Sequence, residues 1–558
     1  MLSALPRPVL VVLGLFALAL VLFTKDAPDS WADGSRLGTI QGLVEHRTLA
    51  LDDTDYVHQG DKVQIAGRYY SHQPPMLAIL GSLPYTALHR VFGRAIDDPF
   101  TYRILTWLLV GLPVLLGLAA LARLLLDAGC DPGWAAAWLF LAAFGTLLLP
   151  YSLVLNQHGP AAGLALLGLF AATRQRPATA GVLLALAATI DLTAAFPALA
   201  FALPVARGTG FGGLMRYGLC ALPVLALHFG VNYSLVGDFK PVGLHLEAFE
   251  YPLSPFLIMA LTGGGGDELP GTLARYASGV LFGQSGLFSN HPFLLVCVAL
   301  GLLLPFRRRP AGDGEPRPAL APGVLPAVAL AALGIVVFYV LTSRNYGGSA
   351  FGVRWFTVFA PLLVLFPAAW QGGRDAPALR TVLGVLGTWS VATAAVGAVQ
   401  PWCKFAWLPS QRPDALLESP GAERPTLREH VQREWARIRD FRESFDARSY
   451  DQWYQELLHR HGRARLKSWP GLTPEQARAW VEEGVEVLQP LVDLLDRANH
   501  SSSARPVGHY WLGRFHQRLG HEAAAREAYR KCLVLEREYP PAVAALERLN
   551  QGDSPGPP

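Results

Sequence analysis

The chain predicts an all-α, polytopic membrane protein that carries a soluble helical domain at its C-terminal end. Three observations lead there. Of 558 residues, 51% are hydrophobic and 16% charged, and the mean hydropathy is positive, which is too apolar for an ordinary soluble enzyme. Apolar runs of roughly 15 to 24 residues recur over the first 400 positions, each of a length that suits a bilayer-spanning helix. Beyond Gln400 the composition turns to Arg, Glu and aromatic residues at helical spacing. The division that follows is a membrane part over 1–400, a soluble helical domain over 401–550, and a tail over 551–558 expected to be disordered.

Taken in order, the expected spans are Leu5–Phe23, Tyr102–Leu126, Trp134–Val154, Gly159–Ala172, Ala178–Asp191, Thr193–Val205, Met215–Tyr233, Pro292–Phe306, Val324–Thr342, Trp355–Trp370 and Leu379–Val399, about 11 in all. The first follows a single Arg7 and precedes no small-residue cleavage site, so it reads as a retained anchor. Pro75–Phe92 is apolar but short, opens on two prolines and holds Tyr85 and His89. It reads as a helix lying along the membrane surface. With that choice Arg123, Arg174, Arg176, Arg207, Arg216, Arg307, Arg308, Arg309, Arg317, Arg374 and Arg380 share the cytoplasmic side with Arg7, as the positive-inside rule asks. The plasma membrane is then the expected location. The 24–101 loop, the Asn156–His158 turn, Asp191, the 234–290 and 343–354 loops and the C-terminal domain face outside. Ala311–Pro322 reads as a flexible inside linker.

Composition also excludes. The net charge is only +4, its arginines fall in short loops, and no nucleic-acid signature is present. The cysteines, Cys130, Cys220, Cys297, Cys403 and Cys532, stand singly; Cys403 and Cys532 could meet only through folding of the C-terminal domain. No HExxH, paired-cysteine or Ser-His-Asp pattern is visible, so no metal or cofactor is expected.

The chemistry concentrates in the long polar loop, above all Trp31–Ala78, because long connections without regular structure are usually functional or disordered. Asp33 precedes Leu37, Ile40 and Val44, which recur at helical spacing and would seat a short helix on the bilayer. It is either the N-cap of that helix or a carboxylate at the water–lipid boundary, and the two roles are compatible. Arg36, one turn on, could pair with Asp33 or meet a phosphate, as a guanidinium fork suits phosphate oxygens. Asn156 and His158 sit in a turn that is either structural or part of a site. In Asn345–Trp355 three glycines precede Arg354, which either binds a lipid phosphate or snorkels to headgroups. Gly263–Gly266 lacks the strand–loop–helix setting of a nucleotide loop and reads as a linker. In the C-terminal domain, Leu512-Gly513, Gly520, Ala525 and Tyr529 lie at tetratricopeptide offsets within His509–Tyr539, with Trp480–Ala498 as the companion helix found. A small helical domain that contacts a protein partner is expected.

These residues resemble the GT-C glycosyltransferases that draw sugars from polyprenyl-phosphate donors, of the protein-mannosyltransferase and lipid A aminoarabinose-transferase type. The resemblance rests on Asp33-Gly34-Ser35-Arg36 soon after the first span and on Gly67-Arg68-Tyr69-Tyr70-Ser71-His72-Gln73-Pro74-Pro75-Met76-Leu77-Ala78 at the end of the loop. It rests also on the Asn156-Gln157-His158 turn and on Gly347 to Arg354. It covers roughly 1–400. It implies a GT-C fold, Asp33 as catalytic base, and substrate contacts at Arg36, Lys62, Arg68, Tyr70, His72, Gln73, Asn156, His158 and Arg354. It also implies a polyprenyl-phosphate-linked sugar as donor, and an envelope lipid, glycan or protein as acceptor. Members commonly carry Lys before the Pro pair where this chain has Gln73, so Arg68, Lys62 or Arg354 would supply that charge, donor handling would differ, or activity would be reduced. Two rival readings remain: a lipid or solute transporter, against which the spans lack pathway charges other than Asp191, and an inactive scaffold that recruits partners through 401–558.

Overall fold

The computed structural model describes residues 5–249, 251, 254, 273–306, 320–343, 346–348, 350–371, 377–403, 405, 473–497 and 504–551, with isolated residues between 428 and 466. Gly263–Gly266, Arg307–Arg309, Arg317, Arg374, Asn345, most of the 311–322 linker, most of 406–472 and the tail from residue 552 lie outside the described residues.

Helices dominate, and prolines start many of them. Asp98 and Asp131 cap helices whose first residues are Pro99 and Pro132, their carboxylates accepting from Phe100 and from Gly133 and Trp134. A capping side chain followed by a proline that lacks an N–H is an efficient start. Among the described residues four helices are long and apolar enough to cross a membrane: Pro99–Asp127, Ala202–Val236, Val324–Thr342 and Pro377–Val399. A fifth crossing would be the pair Leu273–Asn290 and Phe293–Phe306, bent by 102°. Five of the other expected spans appear as helices of 10–17 residues, so among the described residues length and composition support four crossings, or five with the bent pair, of the eleven expected. The shortfall has physical causes. Trp134–Val154 is α-helical only to Phe144, after which Gly145–Leu155 runs as buried chain with a single 3-10 turn at Pro150–Ser152. Gly210, at φ 63, breaks Ala202–Val236.

Pro99–Asp127 is the central element, with 61% of its apolar window buried against 17% for Ala202–Val236. It meets His158–Thr173 at Gly117 and Gly163, where a Cβ on Gly163 would lie 2.3 Å from the Pro113 carbonyl oxygen. Small residues here let two backbones touch, the usual basis of helix association in lipid. Arg7–Phe23 buries Val9, Phe16 and Leu20 while leaving Val11, Leu15, Leu22 and Phe23 exposed, a face suited to hydrocarbon.

Several polar segments pack against one another, Arg36 meeting Gln73, Leu155 and Gln157. Trp31–Gln41 packs its Leu37 and Ile40 into the protein core, Ile40 meeting Gly81 of the helix Met76–Phe92. The short helix therefore seats on a neighbouring helix, not directly on lipid. Met76–Phe92 buries Met76, Leu77, Tyr85 and Leu88 and exposes Leu83, Val91 and Phe92. The all-α expectation needs one addition: Lys62–Ile65 and Arg68–Ser71 pair as an antiparallel hairpin. Val63, Ile65, Tyr69 and Tyr70 favour strand, and Ala66 and Gly67 turn it with φ of 50 and 81, as a two-residue hairpin loop requires. The 242–249 turns pack on this hairpin through Val242 and Ala248 against Val63, and Gln400 reaches Asp29.

The described part of the C-terminal domain is helices Pro474–Arg497, Ala504–Arg518, Glu522–Leu535 and Pro540–Asn550. Gly520, at φ 79, turns the middle pair, and a Cβ on Gly513 would press Tyr529. Pro474–Arg497 is not the sole companion, since Pro540–Asn550 and Gly462, against Trp511, add to the same core. Trp31 packs on that core. Cys403 belongs to the membrane core and Cys532 to this one, and neither forms a disulfide.

Candidate active site

The site begins with a helix N-terminus. Ser30 caps Trp31–Gln41 by accepting from the Asp33 amide, so Asp33 is the third helical residue and not the cap. Its side chain is fully buried. The Ser30 hydroxyl donates to one carboxylate oxygen at 2.8 Å and the Tyr102 hydroxyl to the other at 3.0 Å. Tyr102 is aimed by the Leu155 amide, which donates to its oxygen at 3.1 Å. Burial pushes the Asp33 carboxyl up from 3.8 to about 7, against the pull of Arg36 and the two hydroxyls.

Arg36 is the hub. Its guanidinium lies 3.9 Å from Asp33 and donates to the carbonyls of Ala32 and Leu155 and to the side-chain oxygens of Gln73 and Gln157. Burial holds it below the usual arginine range while Asp33 and Asp61 pull it back. Gln73 extends the chain: its amide donates to Asp61 at 2.7 Å and meets His72 at 3.1 Å. His72 is paired with Asp61 at 2.8 Å. Burial opposes the Asp61 charge, but His72 and Gln73 hold its carboxyl below the ordinary range. A continuous polar chain thus runs from Asp33 through Arg36 and Gln73 to Asp61 and His72.

Beside it is a small pocket, partly open to solvent, lined by Arg36, Tyr70, Ser71, Gln73, Pro74 and Pro75 among polar and loop residues, with Leu49, Leu235 and Val242 as apolar wall. Asp33 is not among the lining residues. On the other side of Arg36 stand His158, bonded through Nδ1 to Asp191 at 2.6 Å, and Arg354, placed over the Trp402 ring at 5.5 Å. The glycines before Arg354 have positive φ at 347, 348 and 352, and a Cβ on Gly352 would strike Leu147.

The structure therefore brings together Asp33, Arg36, Tyr70, His72 and Gln73, with His158 and Arg354 adjoining. Three expected contacts are not brought in. Arg68 is exposed at the hairpin turn. Lys62 is buried with its ammonium on the Val57 carbonyl and over the Tyr69 ring, and burial drops it to about 7. Asn156 spends both donors on the Tyr151 and Val154 carbonyls and its oxygen on the His158 and Gly159 amides, so it is fully used in shaping the turn. The cation next to Gln73 is Arg36. Sequence reasoning passed over Asp61, Tyr102 and Trp402; Asp61 was one of several acids in the loop, and no periodicity marked the others. Among the described residues no cluster of His, Cys, Asp and Glu could hold a metal ion.

No family model matches the chain, and no curated protein matches it in sequence. Among solved structures it is similar to the oligosaccharyltransferase of Archaeoglobus fulgidus in the apo form, with 14% identity, a TM-score of 0.37, and 83% of this chain and 58% of that one covered. It is also similar to the oligosaccharyltransferase AglB of that organism in complex with an inhibitory peptide and a dolichol-phosphate, with 14% identity, a TM-score of 0.40, and 92% and 72% covered. The chain spans less than two thirds of the apo enzyme's length.

Proposed function

We propose that this protein is a GT-C-type membrane glycosyltransferase that moves a sugar from a polyprenyl phosphate to an acceptor hydroxyl at the outer face of the plasma membrane. The observation that carries the reading is the Asp33–Arg36–Gln73 constellation, of which Arg36 and Gln73 line the pocket with Pro74 and Pro75 while Asp33 is buried behind Arg36. A carboxylate near 7 is ionised in part at neutral pH and basic enough to take a proton, which is what a general base needs. One cation stands beside it, Arg36 at 3.9 Å, and Arg354 lies near enough to Arg36 for their charges to interact; charge developing on a departing phosphate is stabilised by such fixed donors in a water-poor site.

In the reaction the acceptor hydroxyl displaces the Ser30 hydroxyl from Asp33. Its oxygen then attacks the anomeric carbon from the face opposite the phosphate. The carbon–oxygen bond to phosphate breaks, the pair of electrons leaves with the phosphate, and the hydroxyl proton goes to Asp33. Configuration inverts. Gln73 holds Arg36 in place where related enzymes carry a lysine, so the cation reaches the donor from Trp31–Gln41 instead of from the Pro-Pro segment. The donor's isoprenoid lies in the bilayer, which favours a site at a bundle end. The acceptor is an envelope lipid, glycan or protein, and the C-terminal helical domain, with its tetratricopeptide-like hairpin 509–539, serves a protein contact.

The test is Asp33→Asn in cells lacking the native copy. Mass spectrometry of envelope glycans and lipids should show a modification present with the wild-type protein and absent with the variant at equal membrane abundance. An unchanged profile, with the deletion strain itself differing from wild type, would remove Asp33 as the base.

A further inference from the structure

Trp31 is the first residue of the helix that carries Asp33, and the proposed reaction does not use it. It is partly buried and packs on the core of the C-terminal domain, where Val507, Trp511, Phe515 and Tyr529 are themselves buried. On another side it meets Gly60, so closely that a Cβ there would lie 2.8 Å from two indole ring atoms. The turn that holds Gly60 is closed from within: the Gln59 side-chain oxygen accepts from the Asp61 amide, and Lys62 donates to the Val57 carbonyl. A displacement of the indole is therefore passed through Gly60 to Asp61, because close-packed atoms transmit strain.

Trp31 thereby closes a ring of contacts around the site. From Asp33 the polar chain runs to Arg36 at 3.9 Å, from Arg36 to Gln73 at 2.9 Å, and from Gln73 to Asp61 at 2.7 Å. From Asp61 it returns through Gly60 and Trp31 to the first turn of the same helix. The segment entering that turn is tied down as well. Lys25 donates to the Val399 carbonyl and Gln400 to Asp29 at 3.4 Å, which binds it to the chain leading into the C-terminal domain. Leu37 and Ile40 seat the later turns on the membrane core. The two ends of one short helix thus rest on different bodies, its far end on the bundle and its catalytic end on the helical domain. An indole, large and stiff, suits such a strut.

We infer that Trp31 is a positioning residue through which the C-terminal helical domain holds Asp33 in its buried place. The domain is then a wall of the site and not a separate module. The inference rests on the proposed function only in taking Asp33 as the base; the contact itself stands without it.

The experiment uses the full chain in one detergent and reads the ionisation of the carboxyl rather than transfer. Asp33→Asn is made in each background, and the stability difference it causes is followed by thermal melts across pH. The groups that face the carboxyl, Arg36, Ser30, Tyr102 and Asp29, are left unchanged. With Trp31 intact, the advantage of asparagine should stop growing above about pH 7, where the carboxyl is fully ionised. Trp31→Ala admits water and should move that bend toward acid by about one pH unit or more. Trp31→Phe, which keeps an aromatic face, should leave it near the wild-type position. Gly513→Ala acts from inside the domain, its Cβ pressing Tyr529 at 2.5 Å, and should move the bend in the same direction. If Trp31→Ala does not fold, Gly60→Ala, which displaces the indole from its other side, takes its place. A bend unmoved when the indole is removed or displaced overturns the inference and leaves Asp33 as the base. A bend moved by Trp31→Ala but not by Gly513→Ala, with amide exchange showing the domain loosened, overturns the role of the domain. A wild-type background with no bend at all overturns the buried place of Asp33 and the inference with it.

Discussion

Replacing Asp33 by Asn separates the proposed base from its electrostatic cost. Burial raises the wild-type carboxyl from 3.8 to about 7, a gap worth about 4 kcal/mol. The sign follows from proton binding: the folded state holds the proton to higher pH than the unfolded chain, so stability present below the unfolded value is lost as pH rises through the folded one. At about pH 5 some 1.6 kcal/mol is already gone, and at about pH 9 the whole amount is. Asparagine offers an NH2 donor group and a carbonyl acceptor where the protonated acid offers a hydroxyl and a carbonyl, and it never ionises. Its advantage over aspartate should therefore widen by about 3 kcal/mol between those two conditions. Thermal melts of both proteins in one detergent, from pH 5 to pH 9, would read this directly. Transfer activity should meanwhile drop by about 10² to 10⁴, the usual worth of a general base. Stability curves that run parallel across pH would refute the buried-carboxylate argument, and retained transfer would refute the base.

Other changes probe other parts of the arrangement. Gln73→Lys, which introduces the residue common in the transferases the sequence resembles, should lower kcat/KM by about tenfold or more, because its ammonium would face Arg36 and sever the link to Asp61; a gain in activity would show that Arg36 has not taken over the cation's role. Lys62→Met should stabilise the protein below pH 7, where the buried lysine, lowered from 10.5 to about 7, must be charged, and the gain should fade toward pH 10.5; denaturation at pH 6 and pH 10 checks it. Gly163→Ala should cost about 1–3 kcal/mol or more, since its Cβ would meet the Pro113 backbone at 2.3 Å; detergent-stability assays would show it. Gly60→Ala should loosen the contact between Trp31 and its surroundings, as the new Cβ would lie 2.8 Å from the Trp31 ring; limited proteolysis should then release the C-terminal helices more readily than from wild type.

Much of the architecture was legible because burial in lipid leaves a composition signal. Val324–Thr342 appears at the bounds its apolar run indicates, and Pro377–Val399 begins only two residues before the run expected from Leu379. Trp134–Val154 does not, because the run stays apolar after Phe144 while the backbone leaves the helix at Gly145. Hydropathy sees burial and is blind to whether the buried chain is helical. The 62–71 hairpin was missed for a related reason: four residues per strand make a weak alternating signal inside a polar loop.

What the sequence by itself determined is the membrane class, the polar first loop, and the short list that holds Asp33, Arg36, Gln73 and Arg354, because residue type and order are enough for those. Tertiary structure alone decided which of them meet. Gln73 is 37 positions from Arg36 and Gln157 is 121, yet all three share one guanidinium. Arg68 and Lys62, close in sequence to the same motif, are carried off by the twist and turn of the hairpin. Distance along the chain does not encode distance in space; packing does, and here it made a buried arginine the centre of the site.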